Sequence, residues 1–563
     1  MAAMTETAPA ERGSSRRSGG RTAAAVLLAV ALALAAAGCS SARHPSGSAD
    51  SAVSRAAVPS RAVVPAAALP VSLVPLPSQL AVTGGPGYPI TSATALEATG
   101  GAAAVQVAGQ LATLLRGTTG LVLPVRNDAT AADGIVLRLV PGGPGGGYGA
   151  EGYDLVSGPA GVTVTASAGA GLFHGVQTLR QLLPARGDGT VPAVRIADRP
   201  RYPVRSAQLD VARHFFPVPV VEKFVDLLAE YKFDYLHLHL TDDQGWRIAV
   251  PGLPGLTGIG ASTEAGGGPG GHYTDADYRA IVAYAAARYI TVVPEVDLPA
   301  HINAALTAYP GLACAGRSAP TPYSGIGGGF DNVCAAKQQT YTFIDRVVGA
   351  LAAMTPGPWI GIGGDEATTL DAADYAEVMT RASAIVRAHG KQPLAWEDAA
   401  AAGPGGPSVL AVWHPAAQEA ARLRGQVVAA ARRGVPLVME PADHAYLDQK
   451  YNPATAPGLR WAGYVDTERS YDWNPDTGLP GLPSGSVTGV EAALWTETLP
   501  TPQDLWTMLL PRLPALAEVG WSPQAVRSWP SFARRLASQA PRWDAQGYSG
   551  WTHDAGVPWP AGA

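Results

Sequence analysis

After residue 200 the chain alternates short apolar runs with longer stretches in which apolar residues recur at helical spacing. The apolar runs predict eight strands, with the sequences SAQLDVA, YLHLHLTD, ITVVPEVD, WIGIGGDE, QPLAWED, SVLAVWH, VPLVMEP and GVEAALWTE. Patterns such as VVEKFVDLLAEYKF and DYAEVMTRASAIVRAHG predict helical crossovers between most of these strands. We therefore predict an α/β fold, with a (β/α)8 TIM barrel over residues 200–563 that ends in a C-terminal tail.

An open, doubly wound sheet is the rival arrangement for this alternation of strands and helices. No glycine-rich phosphate-binding turn follows the first strand, however, and the number of strands suits closure. Residues 69–199 show a different pattern, with the strand candidates GIVLRLV, GYDLVS and GVTVTAS and a helix GLFHGVQTLRQLLP that stops at Pro184. This part predicts a small α/β domain before the barrel.

The first 39 residues have the features of a targeting segment. Four arginines precede an apolar run of 15 residues, Ala23 to Ala37, which is shorter than the roughly 20 residues that cross a membrane easily. The AAGCSS sequence resembles a lipobox, so we expect a lipoprotein-type signal peptide with lipidation at Cys39. An ordinary signal peptide that contains a cysteine is the alternative. Residues 40–68 are rich in Ala, Ser, Pro and Arg and predict a flexible tether, so we expect an exported protein held at the membrane surface.

The net charge limits the classes of partner that the sequence indicates, and the number of cysteines limits the disulfides it allows. The net charge is −5 and no long basic run is present, so nothing points to nucleic acid as a partner. Besides Cys39 only Cys314 and Cys334 remain, and in an exported protein they predict a disulfide. That bond would close a loop of roughly 20 residues, worth about 3 kcal/mol. Two unpaired loop cysteines are the alternative.

Polar and aromatic side chains follow the predicted strands at their C-terminal ends. They are Asp210 and Arg213; Asp242 and Asp243; Glu295, Asp297 and His301; Asp365 and Glu366; Trp396 and Glu397; Trp413 and His414; Trp495 and Glu497. In a barrel these ends meet at the face that carries active sites. Acids among several tryptophans are typical of a carbohydrate pocket, because indole rings stack on sugars and carboxylates bind hydroxyls.

Asp365 and Glu366 are adjacent, which does not suit the usual pair of carboxyl groups facing each other across a glycosidic bond. Consecutive residues at a strand end diverge, so the pair makes better sense if the substrate supplies its own nucleophile. Taken alone, Asp365 also suits the N-cap of a following helix. Taken alone, His301 suits equally well a structural polar residue whose hydrogen bonds are satisfied. Taken alone, Trp413 suits equally well a residue that only packs in the core.

Seven segments in order carry a resemblance to a known family: RSAQLDVARHFFPV, DYLHLHLTDDQGWRI, VVPEVDLPAH, IGIGGDEA, LAWED, YLD and ALWTE. Together they resemble glycoside hydrolase family 20, the β-N-acetylhexosaminidases of the bacterial exported kind. The resemblance covers the barrel throughout and the preceding domain more loosely. It implies an exo-acting, retaining hydrolase that removes terminal β-linked N-acetylglucosamine or N-acetylgalactosamine by substrate-assisted catalysis.

The resemblance also implies roles for individual residues. Glu366 is the expected general acid and base, and Asp365 is expected to orient the 2-acetamido group and stabilise the oxazolinium intermediate. Tyr446 is expected to bond the acetamide oxygen, and His301 and Asp242 to form a relay behind Glu366. The expected sugar-binding residues are Arg213, Trp396, Trp413, Asp448, Trp495 and Glu497. We expect Asp365 to be ionised while Glu366 is protonated, and we expect no cofactor and no metal.

Three positions depart from the family pattern, and they leave other functions open. Gly361 stands where histidine is common, Ala300 where glycine is common and Asp234 where asparagine is common. Gly361 in particular motivates an alternative, a surface sugar-binding lipoprotein on a catalytically lapsed barrel. A disaccharide-releasing, lacto-N-biosidase-like member of the same family is a third possibility.

Overall fold

Eight parallel strands close into a barrel, as the sequence predicts. In this computed structural model the described residues are 71–127, 134–142, 147–187, 189–316, 320–418 and 421–560. The barrel strands are β10 (Val204–Asp210), β11 (Tyr235–His239), β12 (Thr291–Leu298), β13 (Trp359–Gly363), β14 (Gln392–Trp396), β15 (Val409–Val412), β16 (Leu437–Met439) and β17 (Val487–Leu494). Pairing of β10 with β17 closes the barrel, so the (β/α)8 prediction is confirmed.

The β11 strand illustrates how alternation along a strand divides its side chains between two environments. Leu236 and Leu238 are fully buried in the apolar core. His237 and His239 instead form hydrogen bonds with Glu295 of β12. Since successive side chains of a strand point to opposite faces, the leucines face the surrounding helices and the histidines face the barrel interior.

Helices connect the barrel strands and surround them. They are α3 (Val218–Glu230), α4 (Gly255–Gly258), α5 (Asp275–Ala286), α6 (Asn303–Ala308), α7 (Gln338–Met354), α8 (Ala372–Ala388), α9 (Ala421–Arg432), α10 (Ala442–Ala445), α11 (Thr467–Tyr471), α12 (Pro502–Leu509), α13 (Arg512–Trp521), α14 (Trp529–Ala537) and α15 (Ala540–Ala545). Capping boxes begin α5 at Thr274 and α12 at Thr501, where each hydroxyl accepts from the backbone N–H three residues later. A 3-10 helix, Glu397–Gly405, takes the place of an α-helix between β14 and β15.

A small α/β domain precedes the barrel, as predicted. Its strands are β1 (Gln79–Val82), β2 (Tyr88–Pro89), β3 (Leu96–Thr99), β4 (Val125–Arg126), β5 (Ile135–Leu139), β6 (Tyr153–Gly158), β7 (Gly161–Ala166), β8 (Thr190–Val191) and β9 (Val194–Asp198). Seven of them form one sheet in the order β1-β9-β6-β7-β5-β3-β4, and β2 pairs with β8. The helices α1 (Ala102–Thr119) and α2 (Gly169–Leu182) pack on this sheet.

A buried carboxylate joins the small domain to the barrel. Asp198, the last residue of β9, accepts hydrogen bonds through Oδ2 from Tyr153 Oη at 2.7 Å, Lys232 Nζ at 3.2 Å and Trp521 Nε1 at 3.0 Å. Tyr153 belongs to the small domain, whereas Lys232 and Trp521 belong to the barrel. The contact therefore lies where the strands of the barrel begin, opposite the face on which the strands end.

The predicted disulfide between Cys314 and Cys334 is formed, with the two Cα atoms 4.7 Å apart. The predicted signal peptide with Cys39 and the predicted tether both lie outside the described residues, and they stay predictions. In the part of the chain that the structure describes, no helix has both the length and the apolar character needed to cross a membrane.

Candidate active site

The acidic pair follows a tight turn at the end of β13. Gly363 and Gly364 have φ angles of 65° and 113°, which favour glycine. A Cβ at Gly363 would lie 1.6 Å from Asp297 Oδ1, so this position also needs the absence of a side chain. Tyr375 Oη donates to the carbonyl oxygen of Gly364 at 2.6 Å. The turn thereby presents Asp365 and the residue after it at the C-terminal mouth of the barrel.

Asp365 is not a helix cap, so that alternative is wrong. The helix α8 begins at Ala372, and its N-cap is Asp371, whose carboxylate accepts from the backbone N–H groups of Ala373 and Asp374. Five residues separate the two aspartates, which leaves the carboxylate of Asp365 free to face the pocket.

His301 links the acidic pair to a buried aspartate. Its Nε2 lies 3.4 Å from Glu366 Oε2 and 3.7 Å from Asp365 Oδ2, and its Nδ1 lies 3.1 Å from Asp242 Oδ1. His301 is 4% exposed, whereas the side chain of Glu366 is 54% exposed. The predicted acid therefore opens to solvent on one side and contacts the predicted relay on the other.

The order of the two carboxyl pKa values is the reverse of the one we expected. A hydrogen bond from His301 lowers the pKa of Glu366, whereas burial raises the pKa of Asp365. Burial opposes a charge on His301, but the carboxylates of Asp242 and Asp365 outweigh it and raise its pKa well above the usual value. Both shifts favour a proton on His301 and an ionised Glu366 in the unliganded site.

Arg213 anchors the other side of the relay. Its Nη2 lies 2.8 Å from Asp242 Oδ2, its Nη1 lies 3.4 Å from Asp210 Oδ2, and its guanidinium carbon lies 4.9 Å from the ring centroid of Trp495. Burial raises the pKa of Asp242, but the charges of Arg213 and His301 reverse this effect and hold that pKa well below its usual range. Asp242 is thus a fixed negative charge beneath His301.

Aromatic side chains form the wall of the pocket. Trp396, Tyr446 and Trp495 belong to one buried cluster, and Trp413 packs against it. The Trp413 and Tyr446 rings are stacked with centroids 6.3 Å apart, and Trp396 and Trp495 lie 5.7 Å apart. Trp461 lies edge-on to Trp413 and to Tyr446 and is 45% exposed. Trp461 is not among the residues predicted from the sequence, although a tryptophan in the loop after β16 was a usable signal.

Two acids that follow β14 orient one wall residue. Asp398 Oδ2 accepts from the indole Nε1 of Trp413 at 3.0 Å, and Glu397 Oε1 accepts from the backbone N–H of Trp413 at 3.2 Å and of His414 at 2.7 Å. Burial raises the pKa of Asp398 to about 7. Glu397 and Asp398 therefore hold Trp413 in the pocket wall.

Two further acids lie at the bottom of the pocket. Burial together with repulsion from Glu497 raises the pKa of Asp448 to about 8, and burial raises the pKa of Glu497 to about 7. Among the described residues, the buried polar atoms of the site that have no hydrogen-bond partner in the protein include Arg213 Nε, Asp365 Oδ1, Trp396 Nε1, Asp448 Oδ1, Trp495 Nε1 and Glu497 Oε2. Since buried polar groups are nearly always satisfied, these atoms mark positions for the polar groups of a ligand.

Gly361 does not leave a hole near the acids. It pairs with Glu295 across the β12–β13 ladder, and a Cβ at Gly361 would lie 2.7 Å from Glu295 Cβ and 2.8 Å from Glu295 Oε2. The side chain of Glu295 therefore takes the room that a larger residue at position 361 would need.

The other two departures also have local explanations. Ala300 is buried with an ordinary negative φ, and the left-handed conformation of this turn belongs to His301, with φ 51°. Asp234 Oδ1 accepts from the backbone N–H of Arg205 at 2.6 Å, and its second oxygen lies 3.5 Å from the guanidinium of Arg205.

Asp242 belongs to both groups of described side chains whose spacing suits a metal ion. Two groups of buried side chains bring ligand-type atoms within 4.8 Å of one another, namely His239, Asp242 and Asp297, and Asp242, Asp243 and His301. Asp242 is common to both, and its oxygens already pair with Arg213, His239 and His301. The donor set is that of a hydrogen-bonded charge network, so we assign no metal to it.

The structure brings the predicted site residues together at one end of the barrel. Contacts between rings, ion pairs or electrostatic interactions connect Glu366, Asp365, His301, Asp242, Arg213, Trp495, Trp396, Tyr446, Trp413, Asp448 and Glu497. Cys39 alone of the predicted sites lies outside the described residues, and the two disulfide cysteines lie in the β12–β13 connection.

Comparison with known families gives two matches that together span both domains. The family described as "Glycosyl hydrolase family 20, catalytic domain" matches residues 202–524, and "Glycosyl hydrolase family 20, domain 2" matches residues 71–199. The first match covers every barrel strand, and the second covers the small α/β domain.

Relatives and solved structures agree with these matches. A β-N-acetylhexosaminidase of Cellulomonas fimi is 43% identical over 494 residues, which are 87% of this chain and 97% of the relative. The GH20 β-N-acetylhexosaminidase of Streptomyces coelicolor A3(2) superposes with a TM-score of 0.83 at 48% identity, covering 87% of this chain and 99% of that one. A mutant β-hexosaminidase of Streptomyces plicatus, in complex with the product GlcNAc, gives the same TM-score and identity over 87% and 98% of the two chains.

Proposed function

This chain belongs to glycosyl hydrolase family 20 and is an enzyme of the β-N-acetylhexosaminidase class, and we propose that it removes terminal β-linked N-acetylglucosamine or N-acetylgalactosamine with retention of anomeric configuration. One observation carries the proposal: partly buried Asp365 and half-exposed Glu366 are adjacent and both lie against His301. An adjacent pair cannot flank a glycosidic bond from two sides, so the nucleophile comes from the substrate. The product complex of the Streptomyces plicatus relative supports the choice of sugar.

In the first step the 2-acetamido oxygen of the bound sugar attacks the anomeric carbon, and the bond to the leaving group breaks. Glu366 gives its proton to the departing glycosidic oxygen. Asp365, ionised, accepts from the acetamide N–H and stabilises the positive charge of the oxazolinium ring that forms. Tyr446 donates from its hydroxyl to the acetamide oxygen and fixes its direction of attack.

In the second step Glu366, now a carboxylate, takes a proton from a water molecule. The resulting hydroxide oxygen attacks the anomeric carbon from the side that the leaving group vacated, and the ring C–O bond of the oxazolinium breaks. Two inversions at one carbon give net retention. The free enzyme and its proton inventory are restored at the end of the cycle.

The pKa shifts of Glu366 and His301 in the unliganded site fit this scheme once the bound sugar excludes water. The side chain of Glu366 is 54% exposed, and a sugar that covers it removes the water that stabilises its charge. Desolvation favours neutral Glu366 beside neutral His301 over the ion pair of the same two groups. Binding therefore moves the proton from His301 to Glu366, where the reaction needs it.

The remaining pocket residues hold the sugar. Arg213, Asp448 and Glu497 offer the buried polar atoms without protein partners, which suit the ring hydroxyls. Trp396, Trp413 and Trp495 enclose the apolar face of the ring and the acetamide methyl group, with indole surfaces that favour such contacts.

The test is hydrolysis of a chromogenic β-N-acetylglucosaminide by the wild type and by Glu366→Gln. We expect turnover by the wild type and a loss of about 10²- to 10⁴-fold in the variant, the usual contribution of a general acid. NMR of the first-formed product should show the β anomer. The proposal would be contradicted by a wild type that binds N-acetylglucosamine but hydrolyses neither the chromogenic β-N-acetylglucosaminide nor a chromogenic disaccharide substrate. Turnover of the disaccharide substrate alone would instead identify a disaccharide-releasing enzyme.

For the location, we propose export and a lipid anchor on Cys39. The apolar run before AAGCSS supports this reading. Labelled palmitate should become attached to the wild-type protein in the membrane fraction and should not label the Cys39→Ser protein. Unlabelled wild-type protein in the medium would contradict the anchor and leave the enzymatic proposal untouched.

A further inference from the structure

A ladder of buried charged groups runs from the relay into the barrel. His239 Nε2 lies 3.1 Å from Asp242 Oδ2, and His239 Nδ1 lies 2.7 Å from Glu295 Oε1. The second oxygen of Glu295 lies 3.0 Å from His237 Nε2, and His237 Nδ1 lies 2.9 Å from Glu491 Oε1. All five residues are at most 2% exposed.

The chemistry of the groups fixes the charges along this ladder. An ionised carboxylate only accepts hydrogen bonds, and an imidazole donates from both nitrogens only when it is protonated. Each of the two histidines faces a carboxylate at both nitrogens, so each is an imidazolium. Negative and positive charges therefore alternate along Asp242, His239, Glu295 and His237.

The electrostatics of the barrel interior agree with this assignment. Burial opposes the charge on His237, but Glu491 and Glu295 raise its pKa to about 10. Burial likewise opposes the charge on His239, but Asp242 and Glu295, with a contribution from Asp210, raise its pKa to about 9. The two imidazoles in turn outweigh burial and lower the pKa of Glu295 to about 2.

The ladder ends on the same carboxylate that holds His301. Asp242 Oδ2 faces His239 at 3.1 Å and Arg213 at 2.8 Å, which leaves Oδ1 for His301 Nδ1 at 3.1 Å. His239 also lies edge-on to Trp495, with ring centroids 4.9 Å apart. A change in the charge or position of His239 therefore reaches both the relay and the pocket wall.

We propose that Glu295 is a positioning residue of the reaction: it keeps His239 charged and in place, and so holds Asp242 in the orientation that directs His301 toward Glu366. Gly361 belongs to the same device, because a Cβ there would displace the Glu295 side chain that bridges the two imidazoles. This inference rests on the proposed function, since it concerns the proton that Glu366 delivers.

Kinetics of Glu295→Gln test the proposal, because glutamine keeps the volume and removes the charge. We expect kcat on the chromogenic β-N-acetylglucosaminide to fall about 10- to 100-fold, as for a misplaced catalytic group, with KM within about twofold. Glu230→Gln is the matched control, since Glu230 is fully buried on α3, outside the site. It should keep the wild-type kcat whatever it does to stability. A folded Glu295→Gln protein that binds N-acetylglucosamine and keeps wild-type kcat would overturn the proposal.

A second measurement needs no variant to fold. Nitrogen NMR of histidine-labelled wild-type protein should show three imidazole rings that stay doubly protonated at pH 8, where ordinary histidines are neutral: His237 and His239 of the ladder, and His301. If fewer than three rings stay doubly protonated at pH 8, the ladder is not charged and the proposal is wrong. A wild type without any turnover would instead contradict the proposed function, so the two failures are distinct.

Discussion

His301 and Glu366 meet across the mouth of the barrel, Nε2 to Oε2 at 3.4 Å, and both have left-handed backbones, with φ 51° and 49°. Such a conformation is uncommon for residues other than glycine and costs of order 1–3 kcal/mol. Two strained residues that face each other indicate that the surrounding structure is organised to hold this contact. The proposed mechanism assigns the catalytic proton to this contact.

The first prediction concerns the pH dependence that this contact sets. His301→Asn removes the imidazole on which Asp242, Asp365 and Glu366 converge, with Asp297 and Asp243 nearby. In the wild type the proton of the pair leaves only at the raised pKa of His301. In the variant it resides on Glu366 alone, a carboxyl with a much lower pKa. We therefore expect the alkaline limb of the kcat/KM profile to move to lower pH, and kcat to fall on the order of 10²-fold.

A kcat/KM profile between pH 4 and 9 for both proteins checks this prediction. An alkaline limb that stays in place, with only the plateau reduced, would mean that His301 positions Glu366 without holding its proton.

The second prediction isolates the hydroxyl of Tyr446. Its ring packs in the aromatic cluster against Trp413 and Trp495, so Tyr446→Phe keeps the wall and removes only the hydroxyl that the proposed mechanism pairs with the acetamide oxygen. We expect kcat to fall about 10²-fold, the effect of one lost donor to a developing charge, with little change in the free energy of unfolding. Tyr235→Phe is the matched control, because Tyr235 stacks on Trp359 where the strands begin. Equal effects of the two variants would show that the hydroxyl of Tyr446 has no special part.

Features of the fold and site that depend on residues close together in the sequence were predictable. Features that depend on contacts between residues far apart in the sequence were not. Strands and their polar ends follow from local alternation, so the barrel and the gathering of the acids at its mouth were predictable. Asp365 as a helix cap was wrong because the chain runs on to Asp371 before α8 begins.

Interactions across the barrel were not accessible in the same way. The ladder joins His237 to Glu491, which are 254 residues apart, and only closure of the barrel brings them into contact. Two histidines alternating within YLHLHLTD were a signal that one face of a buried strand is polar. The reversed pKa order of Asp365 and Glu366 likewise depends on His301, whose distance to either carboxyl no spacing in the sequence gives.

The third prediction concerns the disulfide. Replacing Cys314 and Cys334 by serine opens a loop of 20 residues and should reduce the free energy of unfolding by about 3 kcal/mol. Activity should change little, because Gln244 Nε2 donates to the carbonyl oxygens of Gly325 and Gly327 and holds this segment independently. Denaturant unfolding with and without a reductant is the measurement. The reductant should shift the wild-type curve and leave that of the double variant unchanged, and a shift in both would point to another cause.

The last prediction concerns the junction of the two domains. Asp198→Asn keeps the shape of the side chain but removes the negative charge that faces Lys232 Nζ at 3.2 Å, in a place where both residues are at most 1% exposed. An uncompensated buried ammonium group typically costs 3–5 kcal/mol, so calorimetry should show a clear loss of stability. Asp226→Asn is the control, because that carboxylate pairs with Arg288 at the surface and should matter by about 1 kcal/mol or less. Since Asp198 lies where the barrel strands begin, kcat per folded molecule should stay at the wild-type value. A fall in kcat with stability unchanged would mean that the junction acts on the distant site and not on the packing of the two domains.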